Sequence, residues 1–133
     1  RWRWRGSWKR MRRWGGSSTP ALPSDPGHAL WRRDFSGANG LVSFALPGAD
    51  AAAARKLVDS LRLFGLGASW GGYESLVQVA APERLATHSY WRGTEPVIRL
   101  HIGLEASEDL IADLEQGLEL ALRAALPQRR AAA

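Results

Sequence analysis

The sequence predicts an α+β domain: a small, mostly antiparallel sheet with helices on one face. Three observations lead there. Short apolar runs of strand length occur at Leu41–Leu46, Leu66–Ser69, Leu76–Val79 and Val97–Ile102, each bounded by turn-forming residues. Two longer stretches carry apolar residues at helical spacing. Their order is strand, helix, three strands, helix, so two helix stripes cover one sheet face and the other is left to solvent or a partner.

Each element follows from local chemistry. Ser18 to Gly27 holds three prolines and reads as an extended linker. Trp31–Phe35 is a short amphipathic element, and Gly37–Gly40 is a turn. The first strand ends at Pro47-Gly48. Asp50 is placed to cap a helix running to Phe64, with Ala54, Leu57, Val58, Leu61 and Phe64 as its buried stripe and Gly65 as its C′ residue. From Pro82 to about Gly93 the chain reads as a polar loop or short helix. Ser107 caps a final helix, with Glu108 and Asp109 in its first turn, where the helix dipole favours anions. Leu110, Ile111, Leu114, Leu118, Ala121, Leu122 and Ala125 form its apolar stripe, and Pro127 ends it.

With 133 residues the chain suffices for one domain with a core, not two. The absence of cysteine excludes disulfides and thiolate metal sites. His28, His88 and His101 have no metal-ligand spacing. No apolar run is long enough to span a bilayer, and no apolar h-region follows the first charges as in a signal peptide.

The net charge of +5 is unevenly placed. Residues 1–13 carry seven of the 18 basic side chains and no acid, leaving 11 bases against 13 acids in a mildly acidic remainder. The division read from the sequence is a basic Arg/Trp-rich arm over 1–18, disordered or non-native; a linker over 19–40; an α/β domain over 41–126; and a tail over 127–133. Trp2, Trp4, Trp8 and Trp14 lie in the arm, whose alternation with arginine also suits an anionic membrane interface or single-stranded nucleic acid. A misassigned reading frame in GC-rich DNA accounts for the same composition without a function, and neither nucleic acid nor membrane is expected as a partner.

Two motifs carry chemistry. Val97 to Ile102 alternates, with Ile98, Leu100 and Ile102 on one face and Val97, Arg99 and His101 on the other. A guanidinium within an apolar β-run is costly unless an anion or a group of carbonyls receives it. An arginine on an edge strand, in solvent, is the alternative. Ser69-Trp70-Gly71-Gly72 suits a turn that brings backbone and small groups close to a ligand.

Taken together, Ser69-Trp70-Gly71-Gly72-Tyr73-Glu74-Ser75-Leu76, Ile98-Arg99-Leu100-His101-Ile102-Gly103-Leu104-Glu105 and Asp109-Leu110-Ile111-Ala112-Asp113-Leu114 resemble the C-terminal domain of the Cys/Met-metabolism pyridoxal-phosphate enzymes, in particular the cystathionine β-lyases. Pro20–His28 and Arg33–Gly37 fit the approach to that domain. The resemblance spans roughly Pro20 to Leu126 and covers only the last third of such an enzyme.

It implies the C-terminal domain fold of aspartate-aminotransferase-type enzymes and a carbon–sulfur lyase of trans-sulfuration and methionine biosynthesis. That enzyme converts cystathionine to homocysteine, pyruvate and ammonia, is cytoplasmic, and works as a homo-oligomer with pyridoxal 5'-phosphate. By the same resemblance Arg99 binds the α-carboxylate of the amino-acid substrate, Ser69 donates a hydrogen bond beside it, and Trp70 walls the distal side chain. His101 supports the site, and Glu74 and Ser75 are structural. Ala68 departs from the tyrosine that some close relatives carry. Neither Lys9 nor Lys56 lies in a cofactor-lysine context, so no Schiff-base lysine is assigned: the cofactor is expected on a domain outside this chain, and the chain alone is expected to be inactive. A γ-lyase, a γ-synthase and a non-catalytic amino-acid-binding module are the alternative functions.

Overall fold

The computed structural model describes residues 17–46, 48–80 and 95–131. Their elements are β1 (Ser17–Ser18), α1 (His28–Asp34), β2 (Leu41–Ala45), α2 (Ala51–Ser60), β3 (Gly65–Leu66), β4 (Leu76–Ala80), β5 (Val97–His101) and α3 (Ser107–Ala131). The strands form one five-stranded sheet in the order β1-β2-β5-β4-β3. All neighbours are antiparallel except β3 and β4, which run parallel. The mostly antiparallel sheet read from the sequence is therefore the one observed.

Strand alternation sorts the side chains as expected. Val42 and Phe44 stand opposite Leu100 and Ile98, which in turn oppose Val77 and Val79. This face packs on α2 and α3 through Leu57, Leu110, Leu114 and Leu118, all at most 4% exposed. The other face carries the rows Ser43–Arg99–Gln78 and Leu41–His101–Leu76. Since β5 lies between β2 and β4, Arg99 is on the central strand, and the edge-strand alternative is excluded.

Several boundaries differ from expectation. Asp50 does cap α2, its carboxylate accepting from the Ala53 N–H at 2.8 Å, but the helix stops at Ser60 rather than Phe64. The reason lies on α3: the buried Asp113 carboxylate accepts from the Arg62 N–H (3.0 Å) and the Leu63 N–H (2.8 Å), diverting the chain out of the helix. Gln116 adds a bond to the Ser60 carbonyl at 2.7 Å. Phe64 still reaches the core, from the loop, and Gly65 begins β3 instead of ending a helix. That strand covers Gly65–Leu66, two residues rather than four.

The 19–27 stretch folds into successive turns and is not extended: Leu22, Asp25 and His28 each donate their N–H to the carbonyl three residues earlier. In α3, Ser107 is the first helical residue and not the cap, because the Asp109 and Leu110 N–H groups bond to the Ala106 carbonyl. The helix continues past Pro127 to Ala131, and Leu122 faces solvent. Ser17 and Ser18, grouped above with the arm, pair with Phe44 and Ser43. The rest of the arm and the expected loop after Pro82 lie outside the described residues.

Candidate functional site

The 67–75 segment, which joins the parallel strands β3 and β4, crosses the sheet face opposite the helices and passes over β5. Arg99 and His101, two residues apart on that face, each hold a part of it. Arg99 Nη2 donates to the Ala68 carbonyl at 2.5 Å and, more weakly, to the Ser69 carbonyl at 3.5 Å. The carbonyls that an arginine in this strand requires are thus supplied by Ala68 and by Ser69 of the Ser-Trp pair. Arg99 Nε is buried and has no acceptor among the described residues. An N–H left in that state costs free energy until an acceptor arrives.

His101 is 6% exposed. Its ring nitrogens meet the Gly71 N–H at 3.5 Å (Nδ1) and the Gly72 carbonyl at 3.1 Å (Nε2). Gly71 has φ +83°, a conformation that side chains disfavour, so glycine at this position is a backbone requirement of the turn. Ser69 and Trp70 are both exposed just before it, Trp70 by 66%, so the indole face is accessible to a ligand.

The far end of the segment is fixed by residues to which the sequence assigned no site role. Glu105 accepts from the Ser75 N–H (2.7 Å) and the Ser75 hydroxyl (2.8 Å), and the same hydroxyl accepts from the Gly103 N–H at 2.9 Å. Leu104 N–H reaches the Tyr73 carbonyl at 2.7 Å. A Cβ on Gly103 would collide with the Tyr73 carbonyl and stand 2.6 Å from Glu105 Oε2, so only glycine permits this approach. Burial pushes the Glu105 carboxyl upward. The bonds from Ser75 and its own backbone N–H, joined by the charge of His101 whenever that ring is protonated, outweigh that and hold it below its ordinary value. The signal for this clamp was the Gly-x-Glu that breaks the alternation after β5, but its partner lies 30 residues back.

The structure thus places Arg99 against the Ser69 carbonyl, with Trp70 the next residue in the chain. Lys56, the only lysine among the described residues, is exposed on α2, on the opposite side of the sheet. The described residues accordingly do not fit a site that holds pyridoxal phosphate by its aldehyde. A groove of about 360 Å³ beside β3, lined by Val58, Leu66, Val77 and Val79, includes none of the three site residues. Among the described residues no group of three potential metal ligands occurs, and no helix is long and apolar enough to cross a membrane.

Comparison with known proteins sets this geometry in context. The chain is 57% identical over 103 residues to the cystathionine beta-lyase of Bordetella avium, covering 77% of this chain and 26% of that one. It is 41% identical to the cystathionine gamma-lyase of Mus musculus, over 77% of this chain and 27% of the relative. It therefore spans about a quarter of the length of the curated relatives it matches. The fold superposes on a cystathionine gamma synthase from Xanthomonas oryzae pv. oryzae, solved in complex with cystathionine, with a TM-score of 0.69 and 38% identity over 83% of this chain and 30% of that one. The architecture is that of trans-sulfuration enzymes of the aspartate-aminotransferase fold type. The sequence model of the Cys/Met metabolism PLP-dependent enzymes matches residues 17–119. By that match and these identities, the chain belongs to the Cys/Met metabolism PLP-dependent enzyme family.

Proposed function

We propose that this chain supplies the substrate α-carboxylate site of a cystathionine β-lyase. The observation that carries the reading is the state of Arg99. It stands on the central strand, one nitrogen is fixed by the Ala68 and Ser69 carbonyls, and a buried Nε–H lacks an acceptor among the described residues. A planar guanidinium pairs both oxygens of a carboxylate at once, and such a pair fixes the direction of a bound amino acid. Ser69 contributes a hydrogen bond beside that carboxylate, and the exposed Trp70 indole lies against the distal part of the substrate. The energetic contribution is positioning: the scissile bond is aligned before reaction rather than during it.

Pyridoxal 5'-phosphate, when bound, supplies the carbanion stabilisation on which the elimination depends. Its lysine and phosphate cradle are assigned to the three quarters of the relatives' length that this chain does not match, and the 133-residue chain alone is inactive. The complete enzyme is a cytoplasmic homo-oligomer of methionine biosynthesis, releasing homocysteine, pyruvate and ammonia from cystathionine.

The β-lyase reading is supported by 57% identity to the Bordetella avium enzyme against 41% to the mouse gamma-lyase. A γ-lyase or γ-synthase is the second reading, favoured by the gamma synthase superposition. Grafting residues 17–119 into the Bordetella avium enzyme in place of its own matching segment tests both. Pyruvate and homocysteine from cystathionine are expected. Cysteine and 2-oxobutyrate as main products would transfer the assignment to γ-elimination, and cofactor-loaded protein without turnover would leave a binding module.

A further inference from the structure

We propose that His101 is a positioning residue: its neutral imidazole, protonated on Nε2, clamps the Gly71–Gly72 turn and thereby holds Ala68 to Trp70 against Arg99. A carbonyl oxygen only accepts, so the 3.1 Å contact to the Gly72 oxygen requires a proton on Nε2. Nδ1 then carries a lone pair, which is what the Gly71 N–H needs at 3.5 Å. One protonation state out of three satisfies both contacts. The Nδ1–H tautomer sets two donors and two acceptors face to face. The imidazolium keeps the bond to Gly72 but turns a donor toward the Gly71 N–H.

The ring has little room to evade this by turning. The side chain is 6% exposed, and a Cβ on Gly40 would lie 3.3 Å from Nδ1 and 3.4 Å from Cε1, so the imidazole occupies the side of Gly40 that a larger residue would fill. Arg99 and His101 act as two adjacent fingers on one strand. Arg99 takes the carbonyls of Ala68 and Ser69, and His101 takes the amide of Gly71 and the carbonyl of Gly72. Ser69 and Trp70 are strung between them. Protonating His101 opens the second finger at Gly71 while its bond to the Gly72 carbonyl stays, and so lets the Ser-Trp pair move relative to the guanidinium.

Among the described residues, the charged and titratable groups around the ring are few. Arg99 shares its face of β5, and Glu105 on the connection to α3 senses the imidazole charge. Tyr73 and Glu74 on the 67–75 segment are exposed, while Leu41 of β2 and Leu76 of β4, its row neighbours, carry no charge.

The inference rests on the carboxylate reading only for its functional consequence, and nuclear magnetic resonance on the full 133-residue chain separates the two. Long-range proton–nitrogen correlations at neutral pH should show His101 protonated at Nε2; the Nδ1–H pattern would overturn the proposal. Acidification should accelerate Gly71 amide exchange, corrected for its intrinsic rate, roughly three- to tenfold in step with imidazole protonation, as one hydrogen bond is lost. His101→Asn presents its amide oxygen near the position of Nδ1 and does not titrate, so it should keep Gly71 protected with no acid step. His101→Ala should lose protection at every pH. Gly71 exchange indifferent to imidazole protonation and to both variants would overturn the clamp. Addition of L-cystathionine tests the carboxylate reading separately, through a shift of the Arg99 Nε–H signal. No shift beside a pH-linked Gly71 would sink that reading and support the clamp alone.

Discussion

Glu105 holds the buried Ser75 by both its N–H and its hydroxyl, and so anchors the return of the 67–75 segment into β4. Hydrogen bonds to a charged acceptor are worth about 1.5–3 kcal/mol, so Glu105→Ala should lower unfolding free energy by about that amount in urea titration. A change within error would show that Ser75 finds another acceptor. The pH dependence follows from the lowered carboxyl. A group with a depressed folded pKa contributes stability that is complete above its unfolded value, ordinarily 4.5, and lost as pH falls through the folded one. Wild type should therefore lose stability with acid below about pH 4.5 more steeply than Glu105→Gln. Equal slopes would remove Glu105 from the acid response. At this scale the sequence was informative about Arg99, because an arginine among alternating apolar residues demands a partner. It was silent on Glu105 and Asp113, because a carboxylate shows nothing of the distant N–H groups it will cap.

Among the elements, α2 and the segment after it depend on two carboxylates acting at opposite ends. Asp50 caps the first turn, and Asp113 accepts the N–H groups of Arg62 and Leu63 across 51 and 50 residues. Asp50→Ala should cost about 1 kcal/mol, as for other lost N-caps. Asp113→Ala strands two part-buried N–H groups that bond to a charged acceptor and should cost about 2–3 kcal/mol; thermal unfolding of the two single mutants ranks them. Asp50→Ala proving the more damaging would mean that the 61–64 segment is held by packing rather than by Asp113. The helix periodicity that located Ala54, Leu57 and Val58 extended over Phe64 as well. Phe64 is equally buried, so hydrophobic spacing alone places the helix end too late. The alternation of β5 was legible for the converse reason: its two faces meet different environments, the helices and the 67–75 segment. Pro127 shows the limit of local rules, since α3 passes through it.

The molecule as a whole is a two-faced sheet, closed by helices on one side and crossed on the other by the segment bearing Ser69 and Trp70. Residues 1–16 lie outside the described residues, and their sequence offers no core periodicity. Deleting them should leave the thermal transition within error; a fall of several degrees would make their tryptophans core residues. The position of Lys56 on the far side of the sheet gives a second expectation. Borohydride treatment of the chain with pyridoxal phosphate should leave no single modified lysine by mass spectrometry, and stoichiometric labelling of Lys56 would contradict the account. The role of Arg99 is measured by kcat/KM for cystathionine in the Bordetella avium graft, with Arg99 and with Arg99→Lys. Lysine keeps the charge but not the fork, so kcat/KM should fall by more than about tenfold while bound cofactor stays constant. A kcat/KM within error of the unmutated graft would contradict the carboxylate role.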